Sequence, residues 1–135
     1  TNRVTFKVGD ACNLDESLGT FDAILASNLL CRLPDPTKFL KSLHSMLNPG
    51  GVIVLVSPYS WLEEYTPKDA WIGGNPSVID PNTSKPLRSS DAVSAILENL
   101  GLERAAPNAD FPFLIREHAR KFQWGCSEVQ VWRKK

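Results

Sequence analysis

The sequence predicts an α/β fold with a parallel sheet, because two apolar strands flank one well-delimited helix. Residues 21–27 (FDAILAS) and 52–56 (VIVLV) are continuous apolar runs, typical of buried strands whose two faces are covered by helices. Between them, Asp35 is a good N-cap and Pro36 suits the first helical position. The Pro-Gly-Gly turn at 49–51 is expected to end that helix. Strand, helix and strand in this order form a right-handed βαβ unit, so the two strands should be parallel.

The apolar face of the first helix is predicted to pack on the sheet, since its residues recur at helical spacing. These residues are Phe39, Leu40, Leu43 and Leu47. A second helix should be capped by residues 89–91 and end at Gly101, with an apolar face made by Val93, Ile96, Leu97 and Leu100. Alternation and β-branching predict further strands at residues 4–8, 102–106 and 128–132.

Composition limits the classes of function that the chain can have. With 135 residues it is long enough for one domain, and its formal net charge of zero predicts no broad surface for nucleic acid or anionic membrane. No apolar run approaches the roughly 20 residues of a membrane helix, and no signal peptide is recognisable. Three separated cysteines and two histidines predict neither a metal site nor a disulfide framework, so a cytoplasmic location is expected.

Two segments of the single domain (1–135) are predicted to be loops on the substrate side. Residues 57–88 are rich in Pro, Gly, Ser, Tyr and Trp and lack periodicity. Residues 109–125 are dense in aromatic and charged side chains. Long connections inside a compact domain are usually functional.

Short motifs in a fixed order resemble those of the Rossmann-like class I methyltransferase fold. They are Gly9-Asp10-Ala11, Phe21-Asp22-Ala23-Ile24 and Leu47-Asn48-Pro49-Gly50-Gly51. The resemblance implies S-adenosylmethionine as cofactor and covers only the C-terminal part of that fold, strands 3 to 7. The first βαβ unit with its cofactor loop is missing, so the N-terminal remainder of the domain is an expected partner. The isolated chain is therefore expected to fold poorly and not to bind cofactor.

A narrower resemblance is to the C-terminal methyltransferase domain of ovothiol-biosynthesis enzymes, the 4-mercaptohistidine N1-methyltransferases. It rests on residues 26–33, 57–66, 71–74 and 111–124. It implies methylation of an imidazole nitrogen on a small thiol-bearing histidine. In that family the domain often follows an iron-dependent sulfoxide synthase region, which is a possible neighbour in a parent chain.

Four residues are expected to bind the cofactor. The resemblance places Asp10 beside the adenine, where its carboxylate can accept a hydrogen bond from the exocyclic amine, and Ala11 is small enough to let the ring approach. Ser27 and Asn28 follow a strand at its carboxyl end, where ligands of open α/β sheets bind. A turn-forming Asp10 and an Asx turn at Asn28 are equally compatible with the sequence.

The segment from Tyr59 to Trp71 is the expected substrate-recognition region. Its aromatic side chains can stack on an imidazole or a sulfonium, and its carboxylates can receive an ammonium group. Arg116 suits a substrate carboxylate because its guanidinium is a planar fork. The predicted substrate-binding residues are Trp61, Glu64, Tyr65, Trp71 and Arg116, and the candidate proton acceptors are Tyr59, Glu63 and His118. Packing of the aromatic residues and simple solvation of the charged ones are the alternatives, and Arg32 is expected at the surface.

Two other functions are compatible with the sequence. One is a methyltransferase of the same fold that acts on another small molecule or on a protein side chain. The other is a non-catalytic α/β interaction module. A nicotinamide dehydrogenase fits less well, because neither a Tyr-x-x-x-Lys motif nor a phosphate loop is visible.

Overall fold

The structure is a computed structural model that describes residues 3–135. In this range a mixed sheet has the strand order β1-β2-β4-β3. The elements are β1 (Phe21–Ser27), α1 (Pro36–Ser45), β2 (Leu47–Ser57), α2 (Ser89–Asn99), β3 (Leu102–His118) and β4 (Lys121–Lys134), with short 3-10 turns at Glu16–Leu18, Leu30–Arg32 and Lys68–Ala70. The predicted α/β class is confirmed.

The predicted βαβ unit is present, and its two strands run parallel, with Ala23 opposite Val52 and Ser27 opposite Val56. Asp35 caps α1 as predicted, since its carboxylate accepts a hydrogen bond from the backbone N–H of Lys38 at 2.9 Å. The interior side of this unit buries Phe39, Leu40, Leu43, Ile53 and Leu55. Burial of such side chains is the main driving force for folding here.

Two details of this unit differ from the prediction. Leu47 belongs to β2 rather than to α1, because the helix ends at Ser45 and Leu47 pairs with Phe21 of β1. The residues 49–51 therefore lie inside the strand segment, where Gly50 has a φ of 77°. In addition, β1 is not buried on both faces: Leu25 is 68% exposed, since no further strand or helix covers this edge of the sheet in the described residues.

The strand predicted at residues 4–8 is wrong. This segment has no regular secondary structure, and Val4, Phe6 and Val8 are exposed. A strand needs hydrogen bonds from a neighbour, and the described chain offers none at this position. Alternation of apolar residues alone therefore does not form the strand.

The prediction of a loop at residues 109–125 is also wrong. β3 and β4 continue far beyond the predicted 102–106 and 128–132, and they form a long antiparallel hairpin closed at Ala119 and Arg120. β3 is an edge strand, so Pro112 can lie within it without breaking a ladder on both sides. The distal half of the hairpin extends away from the core, which explains the exposure of Leu114 and Trp124.

The second helix forms as predicted, with Val93 and Leu97 fully buried in the core. Its N-cap is Arg88 rather than a serine, because Ser89 and Ser90 are already helical and buried. Residues 58–88 are irregular, as predicted, apart from one 3-10 turn and a bridge between Ile79 and Pro86, whereas Ser57 still belongs to β2. None of the helices in the described residues is long and apolar enough to cross a membrane.

Candidate functional site

The candidate site lies where the carboxyl ends of β1 and β2 meet the β3–β4 hairpin. A cavity of about 510 Å³ opens there, which is in the usual range for small-molecule sites. Its lining residues come from the ends of both parallel strands and from the distal hairpin: Asn28, Cys31, Arg32, Pro58, Ser60, Phe113, Ile115, Gln123, Trp124, Gly125 and Cys126. Parallel strands place their following residues at one edge of a sheet, so the topology produces this convergence.

Asn28 joins the end of β1 to the neighbouring strands. Its backbone N–H donates to the carbonyl of Val56 at 2.8 Å, and its Oδ1 accepts a hydrogen bond from the Oγ of Ser127 at 2.7 Å. The φ of Asn28 is 51°, a left-handed conformation that Asn tolerates better than most residues. The predicted cofactor residue Ser27 precedes it and is exposed at the strand end.

Arg32 is half-buried at the cavity, not simply a surface residue as expected. Its Nη1 donates to the carbonyls of Cys31 at 3.0 Å and Ser60 at 2.6 Å. The guanidinium also lies over the ring of Tyr65, 5.2 Å from the centroid. Arg32 thus fixes the loop after β2 and brings a positive charge to the cavity.

The hairpin forms the opposite wall, with Phe113 and Ile115 from β3 and Gln123 and Gly125 from β4. Phe113 and Gly125 are directly opposite in the strand register. A Cβ at position 125 would lie 2.6 Å from Cζ of the Phe113 ring, so the ring occupies the space that a side chain would need. Gly125 therefore sets the position of this aromatic wall.

A second cleft of about 460 Å³ adjoins the cavity, with which it shares Pro58 and Cys126. Both Tyr59 and Glu128 line it. Burial raises the pKa of the Glu128 carboxyl, but hydrogen bonds from Ser90 and Gln130 outweigh burial and hold the pKa below its ordinary value. Glu128 is therefore a carboxylate at neutral pH.

Tyr59 is the predicted catalytic residue that the structure places in this cleft. Its φ is 50°, and its backbone N–H donates to the Oγ of Ser57 at 3.1 Å. The phenolic hydroxyl donates to the Oε1 of Glu128 at 3.2 Å. Burial, and then the nearby negative charge of Glu128, raise the pKa of Tyr59 well above its ordinary value, so the phenol stays protonated at neutral pH.

Trp61 and Trp71 make packing contacts in this structure, and their predicted contacts with substrate stay a prediction. Trp61 is buried, its Nε1 donates to the Oγ of Ser89 at 2.9 Å, and its ring stacks on Trp71 with centroids 6.4 Å apart. The Nε1 of Trp71 donates to the carbonyl of Thr66 at 2.9 Å. The Trp61 indole thus anchors its segment to α2, whereas the Trp71 indole binds within the segment. Neither lines the two cavities above, but Trp71 lines a further cleft of about 560 Å³.

Three other predicted residues of this segment lie on its exposed side. Glu63 is 3.9 Å from the Nζ of Lys68, and Glu64 is exposed. Tyr65 is exposed beneath Arg32, and a hydrogen bond with Glu64 raises its pKa. Their predicted roles in binding and proton transfer remain predictions.

Asp10 and Ala11 line a separate cleft of about 350 Å³ formed by residues 7–18. The Asp10 carboxylate accepts hydrogen bonds from the backbone N–H of Cys12 and from Nδ2 of Asn13, each at 2.8 Å. The bond from Asn13, followed by that from Cys12, lowers the pKa of Asp10. The turn-forming arrangement is thus present, and contact with an adenine stays a prediction.

Arg116 and His118 lie near the closed end of the hairpin and are exposed. The Nδ1 of His118 accepts a hydrogen bond from the backbone N–H of Arg120 at 3.2 Å. Neither side chain is among those lining the cavity. Their proposed contacts with a substrate carboxylate and proton therefore need the hairpin end to approach the ligand.

Comparison with known protein families identifies one family whose sequence profile matches most of this chain. The sequence profile of the methyltransferase-domain family matches residues 2–106. The chain belongs to this methyltransferase-domain family.

Individual relatives agree with the family. The chain is 29% identical over 109 residues to norajmaline N-methyltransferase from Rauvolfia serpentina. This alignment covers 81% of this chain and 32% of that protein. Among solved structures it resembles a SAM-dependent methyltransferase from Methanosarcina mazei (TM-score 0.57, 19% identity, 96% of this chain and 66% of that one). It also resembles the N-terminal domain of EvdMO1 with SAH and D-fucose (TM-score 0.57, 19% identity, 99% and 56%). The chain thus spans about a third of the curated relative and roughly half to two thirds of these structures.

Several residues of this methyltransferase domain's candidate site were missed from the sequence. They are Cys31, Ser90, Gln123, Cys126 and Glu128. One signal was available: Glu128, Gln130 and Trp132 alternate with valines along one strand, and a carboxylate on the buried side of a strand requires partners. No cluster of three or more metal-ligating side chains occurs in residues 3–135.

Proposed function

We propose that the protein is an S-adenosylmethionine-dependent N-methyltransferase for a small molecule. The carrying observation is the 510 Å³ cavity at the carboxyl ends of two parallel strands in a chain of the methyltransferase-domain family. The EvdMO1 domain that it resembles in fold was solved with SAH. That likeness supports the same cofactor here.

The residues at the predicted cofactor site fit an adenosyl group. Asp10 uses two of its approximately four lone-pair positions for Cys12 and Asn13, which leaves acceptor capacity for an exocyclic amine. Ala11 and Leu14 contribute small and apolar side chains to this cleft, whose lining also includes the charged Lys7 and Asp15. Asp10, Ala11, Ser27 and Asn28 would hold the cofactor, which when bound supplies an electrophilic methyl group.

The proposed substrate is a 4-mercaptohistidine, methylated on an imidazole nitrogen. Support comes from the motif resemblance and from the lining of the cavity, where Arg32 offers a cation for a carboxylate and Phe113 an aromatic face for the ring. In this reaction a nitrogen lone pair forms the N–C bond while the S–C bond of the donor breaks, and the N–H proton leaves afterwards. A neutral imidazole needs no base before it attacks.

The protein's main contribution is then alignment and selection. Holding two reactants in line can be equivalent to an effective molarity of roughly 10⁵ to 10⁸ M. The substrate's thiolate is a better nucleophile than its nitrogen, so the site must keep sulfur away from the methyl group. We assign that orienting task to Tyr59 and the following loop, which Trp61 anchors to α2.

A second small-molecule substrate class is supported by one observation. Norajmaline N-methyltransferase, a curated relative, has by its name a nitrogen acceptor on a different small molecule. Nitrogen methylation of another amine is therefore the alternative function, whereas a non-catalytic module is the alternative if no cofactor binds.

The test is a methyl-transfer assay on the full-length protein that carries this chain. S-adenosylmethionine is combined with 4-mercaptohistidine, with histidine, or with a set of secondary amines, and products are identified by mass spectrometry. We expect methylation of mercaptohistidine at least tenfold faster than of the others. Turnover of an amine alone would favour the alternative, and absence of SAH binding in calorimetry would favour the non-catalytic module.

A further inference from the structure

One face of β4 carries a chain of buried polar side chains that ends in the cleft beside the cavity. The Nε1 of Trp132 donates to the Oε1 of Gln130 at 3.0 Å, and the Nε2 of Gln130 donates to the Oε1 of Glu128 at 2.8 Å. Trp132 and Gln130 are fully buried, so their amide and indole orientations are fixed by the core. Glu128 is the end of this chain, at the rim of the cleft.

Three donors from three elements converge on the same carboxylate oxygen. Besides Gln130, the Oγ of Ser90 on α2 donates to the Oε1 of Glu128 at 2.6 Å, and the hydroxyl of Tyr59 donates at 3.2 Å. An ionised carboxylate is only an acceptor, so the direction of the Tyr59 hydrogen bond is determined. The hydroxyl proton of Tyr59 is committed to Glu128, and its oxygen can offer only lone pairs to a ligand.

Because the Tyr59 hydroxyl donates to Glu128, its oxygen can act only as an acceptor toward an imidazole. A neutral imidazole carries one N–H donor and one nitrogen with a free lone pair. The hydrogen bond that the N–H group makes decides which of the two ring nitrogens holds the proton and which holds the lone pair. A group that can only accept binds the N–H nitrogen and leaves the other as the nucleophile. A group that can also donate binds both tautomers and does not discriminate between them.

We propose that Glu128 is a positioning residue which, through the hydroxyl of Tyr59, selects the imidazole tautomer of the substrate and so determines which ring nitrogen is methylated. This inference rests on the proposed function. Tyr59 contacts the ring N–H, and Glu128 acts only through Tyr59. Ser90 and Gln130 keep Glu128 ionised and fixed.

The test compares the ratio of the two N-methyl regioisomers formed by wild-type protein and by two variants. The full-length protein is incubated with S-adenosylmethionine and 4-mercaptohistidine, and the products are resolved by NMR. Tyr59→Phe removes the acceptor but keeps the ring, and Glu128→Gln keeps the shape but removes the charge. Glu98→Gln, on the exposed side of α2, is the matched control.

We expect wild-type protein and Glu98→Gln to give one predominant regioisomer. Tyr59→Phe should reduce the regioisomer ratio about tenfold, the equivalent of one hydrogen bond, and Glu128→Gln should change it in the same direction. A purely structural role would slow turnover without altering the ratio. Circular dichroism verifies folding, and Tyr59→Phe decides alone if Glu128→Gln does not fold.

Two outcomes overturn different claims. An unchanged regioisomer ratio in folded Tyr59→Phe, whatever its rate, overturns the tautomer selection and leaves the proposed function intact. Wild-type protein that does not methylate the imidazole at all overturns the proposed function and, with it, the basis of this inference.

Discussion

At the scale of single residues, the contact between Gly125 and Phe113 leaves no room for a side chain in one part of the cavity wall. The two residues face each other across the hairpin, and the ring fills the space above the glycine. Phe113 also lines the cavity, so a displacement of its ring is expected to change the shape of the cavity. A small change at position 125 should therefore alter ligand binding more than folding.

We predict that Gly125→Ala raises KM for the substrate about five- to tenfold with little change in kcat, since displaced wall contacts weaken ground-state and transition-state binding alike. Steady-state kinetics on the full-length protein measure this. In a Phe113→Ala background the same substitution should have no further effect, because the clash is gone. An equal effect in both backgrounds would show that the ring is not the cause.

Glu128 should also make the free energy of unfolding depend on pH. Its pKa is lower in the folded protein than the ordinary carboxyl value of 4.5, because donors from Ser90 and Gln130 outweigh its burial. The unfolded chain then binds the proton first, so the stabilisation is complete above that ordinary value and is lost as the pH falls through the lower, folded value.

We therefore predict that the melting temperature of wild-type protein exceeds that of Glu128→Gln at pH 7, and that this difference shrinks between about pH 5 and pH 3. Thermal melts at several pH values measure it. Glu98→Gln, which removes an exposed carboxylate, should show no such convergence. A difference that stays constant down to pH 3 would contradict ionic stabilisation by Glu128.

Single residues also show how far sequence reasoning reaches. The cap at Asp35 was predictable because it depends on four consecutive residues. The importance of Glu128 was not, because its partners Tyr59 and Ser90 are 69 and 38 positions away. Only the fold brings those three side chains together.

At the scale of elements, the segment between β2 and α2 is held by indoles rather than by regular structure. Trp61 and Trp71 are stacked, and each donates a hydrogen bond to a fixed acceptor. Gly73 passes so close to the start of α2 that an added Cβ would lie 2.8 Å from backbone atoms of Arg88. Residues 61–73 of the segment are thus packed against the core, whereas most of residues 74–88 is exposed.

We predict that Trp61→Ala lowers the free energy of unfolding by about 3 to 5 kcal/mol, as expected for a large buried aromatic side chain. Denaturant titration of the full-length protein measures it. Tyr65→Ala, which truncates an exposed aromatic four residues later, should change the same quantity by less than about 1 kcal/mol. Equal stability of the two variants would mean that Trp61 is not a core residue.

The elements also differ in how well the sequence predicted them. The βαβ unit and α2 were predictable because their signals are local: caps, helical spacing and apolar runs. The hairpin was missed because its charged and aromatic residues 109–125 alternate across two exposed faces, a pattern that resembles a loop when no core fixes one side. The strand at 4–8 was overpredicted for the converse reason, since its pattern is typical of a strand but no strand in residues 3–135 pairs with it.

At the scale of the whole molecule, the sheet is open along β1. The described chain leaves Leu25 and Phe21 of this strand exposed, and an apolar groove of about 210 Å³ runs beside them between β1 and α1. Val4, Phe6 and Val8, which precede β1 in the sequence, are exposed as well. An open apolar edge of this kind favours association with other chains.

We predict that the isolated polypeptide of residues 1–135 self-associates and does not bind SAH. Light scattering and calorimetry measure these properties, and a longer protein that covers the edge of β1 should be monodisperse and bind SAH. A monomeric, cooperatively melting polypeptide of residues 1–135 would contradict the prediction.

One strand, β4, runs from the ligand cavity at residues 123–126 to the deepest part of the core at Trp132. Neighbouring positions of a strand point to opposite faces, so Gln123 and Glu128 lie on opposite faces of β4, and a slip of its pairing by a single residue would move each of them to the other face. Burial of the Trp132 indole at one end of β4 therefore helps to fix the strand register, and with it the orientation of the side chains at the cavity. Substitutions near Trp132, at the core end of the hairpin, can then change ligand preference as substitutions in the cavity can.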